Sequence, residues 1–347
     1  MPIESYAKAG VNIEKVRRIH RTLAEQLGAT FTFRKGRRGA PTRPIGLYGG
    51  VIDIGRGDSL TLHTDGVGTK VLVAQQMRKF DTVGIDCVAM TVNDLICLGS
   101  EPVALLDYIA LQREDDALVE ELLKGIVEGA RIASVAVVGG ETAIMRDVIK
   151  GVGGNGFDLA SMGVGLVRSR DLIDGSEVAE GDVVLGVASS GLHSNGYTLA
   201  RRVLRGRSLK ERVDELGSTL GDALLEPTSI YVRPTMEAVR RLDVHGIAHI
   251  TGGAFSKLTR LTPRENLMFD IALPRPTGIF RLLRDAGGIP EREMYRTFNM
   301  GIGLCLCLPE VESRRASRIF SSSGFKTHRI GSVGRGKGVK VNGLSVA

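Results

Sequence analysis

Two hydrophobic periodicities alternate along this 347-residue chain, and their alternation limits its possible folds more than any single motif does. Ile13, Val16, Ile19, Leu23 and Leu27 recur at helical spacing in residues 12–27, and residues 115–133 read as a second amphipathic helix. Between and after them lie extended patterns: "SLTLHTD" (59–65), "SVAVVGG" (134–140), stopped by its two glycines, "FDLASMGVGLV" (157–167) and "VVLGVASSG" (183–191). Interleaving of this kind predicts an α/β or α+β architecture. The polar, turn-rich stretch "RSRDLIDGSEVAEGD" (168–182) divides the chain, giving expected domains of residues 1–170 and 171–347.

Composition narrows the class. At 43% hydrophobic residues the chain can bury a large core. No run approaches the ~20 apolar residues of a membrane helix, and residues 1–20 lack the pattern of a secretion signal, so a cytoplasmic protein with no membrane partner is expected. Cys87, Cys97, Cys305 and Cys307 sit in apolar segments, and the only close pair is a C-x-C without zinc-site spacing, so they read as buried free thiols. The net charge of +7 includes arginine-rich runs at 33–44 and 312–318. No aromatic residues interleave among those arginines for base stacking, so the basic residues read as solvated surface that attracts phosphates, and no nucleic-acid partner is expected.

Gly151, Gly153 and Gly156 spell G-x-G-x-x-G, but a strand pattern follows where a dinucleotide site needs a helix, so the match reads as a loop. No G-x-x-x-x-G-K-[ST] loop is present either. Another polar constellation stands out. In "LHTDGVGTKVLVA" (62–74), Asp65 is a hard oxygen ligand at a strand end, Gly66 and Gly68 permit a turn whose N–H groups face an anion, and Lys70 adds a charge suited to phosphate. Taken alone, D-G-x-G is also an ordinary hairpin turn. Residues 81–99 read as a mostly apolar helix on which Asp86 and Asn93 share one side and Asp94 lies about 80° away. That stripe is either a solvated face or a half-buried acidic surface relieved by a cation. Glu141 follows two glycines at an expected strand end, as a further ligand or as a helix N-terminal acid. Ser189, Ser190, Gly191, His193, Ser194 and Asn195 precede an amphipathic helix, as an anion site or a plain cap. His245 and His249 lack a third zinc ligand, and Thr251-Gly252-Gly253 reads as a phosphate-contacting turn.

Seven of these stretches occur together in order: T-D-G-V-G-T-K (64–70), G-I-D-C-V-A-M-T-V-N-D (84–94), V-G-G-E-T-A (138–143), S-S-G-L-H-S-N-G-Y (189–197), L-L-E-P-T-S-I-Y-V (224–232), H-I-T-G-G (249–253) and M-Y-R-T-F-N-M-G-I-G (294–303). In this combination the chain resembles the AIR synthetase (phosphoribosylformylglycinamidine cyclo-ligase) family. The resemblance implies a two-domain fold: an amino-terminal sheet domain packed against its mate in a homodimer, and a carboxyl-terminal α/β domain. It also implies ATP-dependent ring closure of formylglycinamidine ribonucleotide to aminoimidazole ribonucleotide, with ATP and Mg2+ bound. By the same resemblance Asp65, Asp94 and Glu141 hold the metal, and Asp94, Glu141 and His193 are catalytic. Gly66, Gly68, Thr69, Lys70, Asp86, Asn93 and Thr142 join Asp65 around the nucleotide. Ser190, Ser194, Asn195, His249, Thr251 and Gly252 contact the substrate.

Some stretches depart from the family's pattern. Lys8 is displaced by one place, residues 45–50 replace a Gly/Phe-rich loop, and Ile144-Met145-Arg146 replaces an acidic, Met-Pro continuation. Among relatives of the same architecture, selenophosphate synthetase would ask for an early reactive cysteine, and the hydrogenase-maturation protein for a carboxyl-terminal one. Thiamine-monophosphate kinase lacks the 189–197 pattern, and formylglycinamidine synthase is far longer. A catalytically silent nucleotide- or nucleic-acid-binding module is the alternative from another class.

Overall fold

The computed structural model describes residues 13–262 and 264–347; Lys8 lies outside them. Helix α1 (Ile13–Gly28) forms where its periodicity predicts, but Ile19, Leu23 and Leu27 of its apolar stripe are exposed in the single chain. The first domain continues through β1 (Gly50–Gly55), β2 (Asp58–Gly66), α2 (Val71–Met77), α3 (Asp81–Ile96), β3 (Glu101–Leu111), α4 (Asp116–Ala133), β4 (Ala136–Ile144) and β5 (Phe157–Arg168). Its five strands are ordered β1-β2-β5-β3-β4, antiparallel except for β3 and β4, which α4 joins as a parallel crossover. Asp115 starts α4 by accepting the Leu118 N–H at 3.1 Å, as an N-cap should.

Strand β4 corrects the expectation of a strand stopped by glycines. It runs through Gly139 and Gly140 to Ile144, because β3 supplies a partner along that whole length. Glu141 therefore sits within a strand at the sheet's edge, not at its end.

Alternation along β5 separates the two faces of the sheet. Phe157, Leu159, Ser161, Gly163, Gly165 and Val167 are buried, while Met162 and Leu166 are exposed. Helix α3 lies on the buried face, where the Thr91 and Ser161 hydroxyls meet at 2.6 Å, and α4 packs on α3. Gly84 and Gly125 permit that crossing: a Cβ on Gly125 would overlap the Asp81 carbonyl, and one on Gly84 the Leu122 carbonyl.

The second domain contains β6 (Val183–Ala188), α5 (Tyr197–Val203), β7 (Arg212–Val213), β8 (Ser218–Thr219), α6 (Leu220–Leu225), α7 (Val232–Arg241), β9 (Gly246–His249), β10 (Leu267–Ile271), α8 (Gly278–Gly287), α9 (Glu291–Thr297), β11 (Ile302–Leu308), α10 (Glu310–Ser322), β12 (Thr327–Arg335), β13 (Gly338–Val341) and β14 (Leu344–Ser345). Its larger sheet is ordered β14-β13-β10-β12-β6-β11-β9, and β7 pairs with β8. β11 is buried along its entire length, which explains the unbroken apolar run ILE-GLY-LEU-CYS-LEU-CYS-LEU in which Cys305 and Cys307 sit. All four cysteines are buried free thiols. Helix α3 also touches β9 and α7, so it is buried on nearly every side and carries its polar residues into the seam between the domains.

Candidate active site

The stretch after β2 is a strand-to-helix turn, not a hairpin. β2 ends at Gly66, whose N–H donates to the Asp65 carboxylate at 2.8 Å; residues 68–70 make one tight turn, with Gly68 at φ +68°, and α2 follows. The left-handed backbone at Gly68 requires glycine or costs strain. Thr69 is exposed and its hydroxyl meets that of Thr198 at 3.3 Å.

Asp65 and Asp94 come together. His63, two residues before Asp65 and on the same face of β2, joins them: the three side chains place ligand atoms within 4.8 Å of one another. His63 Nε2 lies 3.3 Å from one Asp94 oxygen, and His249 Nδ1, at the end of β9, lies 2.7 Å from the other. The half-buried Lys257 bonds the hydroxyl of Thr251 and stands 5.8 Å from the ring centre of Tyr48. Burial alone would raise the pKa of Asp94, but the His249 bond and the charges of Lys257, His249 and His63 outweigh it and hold the pKa at about 2. Asp65 moves upward, through burial first and the neighbouring Asp94 charge second. The Lys257 ammonium is pushed down by burial, against the pull of Asp94.

The substrate-loop residues approach the same seam. His193 is fully buried at φ +60°, with its ring centroid 6.3 Å from that of His249. Burial first, then the charges of His249 and Lys70, drive its basicity well below the ordinary value. Among the described residues neither His193 nitrogen has a hydrogen-bond partner, and His249 Nε2 has none either. Gly303 makes room for this arrangement, since a Cβ there would overlap the Tyr231 hydroxyl and crowd the His193 ring. The Asn195 amide reaches Met90, one helical turn before Asp94, and Gly252 faces Asn195. Ser194 neighbours Thr228, and Ser190 donates to the Pro227 carbonyl at 2.5 Å.

Other sequence candidates are placed elsewhere. Lys70 is fully buried and pairs with Asp86 at 2.7 Å while donating to the Glu226 carbonyl. Asp86 accepts both the N–H and the hydroxyl of Thr228, and Asn93 donates to the Ser229 carbonyl and accepts the Tyr231 N–H. These three residues answer the backbone of residues 226–231, because that loop lies along the polar side of α3.

Glu141 is also separated from the other two acids. It pairs in register with Tyr108, which pairs with Ala160, whereas Asp65 pairs with Ser161 on the next row. Adjacent rows point to opposite faces, so Glu141 is exposed on the face away from Asp94, and Thr142 follows it along the exposed edge strand. The expected three-carboxylate cluster is thus two carboxylates and a histidine within one chain. Strand periodicity from Asp65 could have revealed His63. Lys257 has no comparable signal, since only the turn after Thr251 brings it back.

The fold belongs to a recognisable class. A family model described as AIR synthase related protein, N-terminal domain, matches residues 47–167, and its C-terminal counterpart matches residues 179–343. ThiL, the thiamine monophosphate kinase of Aquifex aeolicus, solved complexed with AMPPCP and TMP, shares the fold with a TM-score of 0.65 at 17% identity, over 94% of this chain and 95% of that one. Hydrogenase maturation protein HypE in complex with ATP does so with a TM-score of 0.57 at 21% identity, over 79% and 76%. Within this class the sequence is far nearer to one branch: it is 44% identical to the phosphoribosylformylglycinamidine cyclo-ligase of Thermococcus kodakarensis over 99% of both chains. The chain belongs to the phosphoribosylformylglycinamidine cyclo-ligase family.

Proposed function

We propose that this chain catalyses the ATP-dependent closure of formylglycinamidine ribonucleotide to aminoimidazole ribonucleotide, releasing ADP and phosphate, as a step of purine biosynthesis in the cytoplasm. One observation carries the reading. Across a chain 44% identical over 99% of its length to a cyclo-ligase, the motif residues Asp65, Asp94, His193 and His249 converge from two domains on one seam. In the reaction the formyl oxygen takes the terminal phosphoryl group of ATP, the amidine nitrogen attacks the activated carbon, and phosphate departs as the ring closes.

The donor set suits Mg2+, which prefers carboxylate oxygen. Two carboxylates there face one ammonium, that of Lys257, and the upward shift of Asp65 comes from burial first and the neighbouring Asp94 charge second, both of which a bound cation would offset. When bound, the metal would spread charge on the transferring phosphoryl group. Asp65 and Asp94 would hold it, with His63 and His249 orienting Asp94. Lys257 sets a positive charge beside the same position. His193, kept neutral by burial, offers an unprotonated ring nitrogen that accepts a hydrogen bond from the substrate amidine and orients it, and His249 Nε2 is free to hold a substrate polar group.

We also read the outer face of the five-stranded sheet as the seat of a second copy, since Tyr108, Met162 and Leu166 are exposed there. Glu141 shares that face, so a role for it in catalysis would be exercised at the dimer interface. Light scattering should show a dimer that Met162→Glu converts to monomer; an unchanged mass would refute the assignment. The activity itself is tested by offering formylglycinamidine ribonucleotide with magnesium ATP and assaying aminoimidazole ribonucleotide. ATP consumed without that product would refute the reading.

A further inference from the structure

His63 stands one residue before the T-D-G-V-G-T-K stretch, yet the fold sets it against both aspartates of the seam. His63 and Asp65 pair with Gly163 and Ser161 of β5, on the face of the sheet that α3 covers. There the His63 Nε2 lies 3.3 Å from Asp94 Oδ2. That nitrogen is shut off from solvent, and among the described residues it has no hydrogen-bond partner, so it approaches Oδ2 without bonding to it. An imidazole nitrogen and a carboxylate oxygen held this close without sharing a proton are stabilised by a cation that both can reach.

The carboxylates are fixed from their far sides. His249 Nδ1 lies 2.7 Å from Asp94 Oδ1 and leaves Oδ2 toward His63. The Gly66 N–H, 2.8 Å from Asp65 Oδ1, holds the second carboxylate in the same way. Outer partners of this kind orient the direct ligands of metal sites. The spacing fits as well: two ligands each ~2.1 Å from one ion stand roughly 3.0–3.4 Å apart at octahedral to tetrahedral angles. Nε2 and Oδ2 fall within that interval, and all three side chains bring a ligand atom within 4.8 Å of the others.

We propose that His63 Nε2 is itself a metal ligand, which makes this a mixed nitrogen and oxygen site that holds a first-row transition ion such as Mn2+ more tightly than Mg2+. The inference rests on the metal role given above to Asp65 and Asp94, and adds to it a third ligand and a preference between ions. Mg2+ takes oxygen donors and gains little from an imidazole, whereas transition ions gain affinity where nitrogen is offered. A histidine that only steadied Asp94 would serve either ion alike.

The test uses Mn2+ alone as the probe, titrated into the full chain without nucleotide and followed by electron paramagnetic resonance, with Mg2+ as competitor. Wild type should bind Mn2+ at least about tenfold more tightly than Mg2+, and spin-echo modulation should show a nitrogen nucleus bonded directly to the ion. His63→Gln should remove that nitrogen coupling and weaken Mn2+ at least about tenfold, while Mg2+ affinity changes by less than about threefold. His63→Asn serves if the glutamine variant fails to fold, and Asp65→Asn should weaken both ions. The proposal is overturned if bound Mn2+ shows no nitrogen coupling, if the coupling survives in the His63 variants, or if those variants weaken both ions equally. Mn2+ bound without nitrogen coupling would leave the two-aspartate site standing, whereas a chain that binds neither ion would remove that site along with the proposal.

Discussion

Helix α3 meets the second domain at two places built on opposite principles. Around Asp86 and Asn93 the polar groups close on one another: Lys70, Thr228, Ser229 and Tyr231 answer them within hydrogen-bonding or ion-pair distance. At Asp94 the carboxylate is held by two histidines, yet a second acid stands beside it, and both nitrogens of His193 and one of His249 are buried without a partner among the described residues. A satisfied buried network fixes how two domains sit together, whereas orphaned polar groups at the same depth carry a standing cost that a ligand removes. The difference therefore separates scaffold from site on a single helix.

Removing the clamp's charge should produce the largest effect. Lys70→Met leaves Asp86 buried without its counter-charge, at an expected cost of about 3–5 kcal/mol in denaturant unfolding. Asp86→Asn in the same chain should recover part of that loss. A Lys70→Met protein of unchanged stability but weakened ATP affinity would break the comparison and return Lys70 to the nucleotide. Asp94→Asn should do the reverse, lowering kcat by about 10²–10³-fold while circular dichroism shows an intact fold. An active Asp94→Asn enzyme would remove the open end of α3 from catalysis.

These two ends were not equally legible in the sequence. The element types followed from periodicity, because strands such as β5 alternate cleanly and α4 carries a continuous apolar stripe. The placement of Asp86 and Asn93 on one side of a helix was readable too, but what fills that side was not. A cation and a loop of backbone amides satisfy the same carboxylate, and only the tertiary fold chooses between them. The placement of Glu141 was hidden for a related reason. Its two glycines looked like a strand terminus, but β3 carries the strand onward, and a one-residue offset against Asp65 then sends the side chain to the other face. The exposed stripe of α1 was legible as a helix and silent about its cover.

The response to magnesium sharpens the contrast. With Mg2+ at a hundredfold excess over its dissociation constant, the wild-type chain should gain about 2.7 kcal/mol of stability, read as a raised Tm. Asp65→Asn should lose most of that gain, and Lys70→Met, destabilised as it is, should keep it. Equal responses in the two variants would mean that the acids at the open end do not hold the cation.

The smallest expected effect concerns protons. His193 is buried with its basicity depressed by burial, so as pH falls below about 6.5 the unfolded chain takes up a proton that the folded one refuses. Its contribution to stability is complete above that pH and declines below it, by up to about 1.4 kcal/mol per pH unit. His245 has the opposite sign, since Asp182 and Asp243 raise its basicity against burial, but that contribution is common to any variant at position 193 and cancels in a difference. Unfolding free energies measured from pH 7 to 5 should therefore fall more steeply for wild type than for His193→Gln. Parallel curves would show that the folded state can accommodate a charged ring at position 193, and the unpaired nitrogens at the seam would then be satisfied in solution.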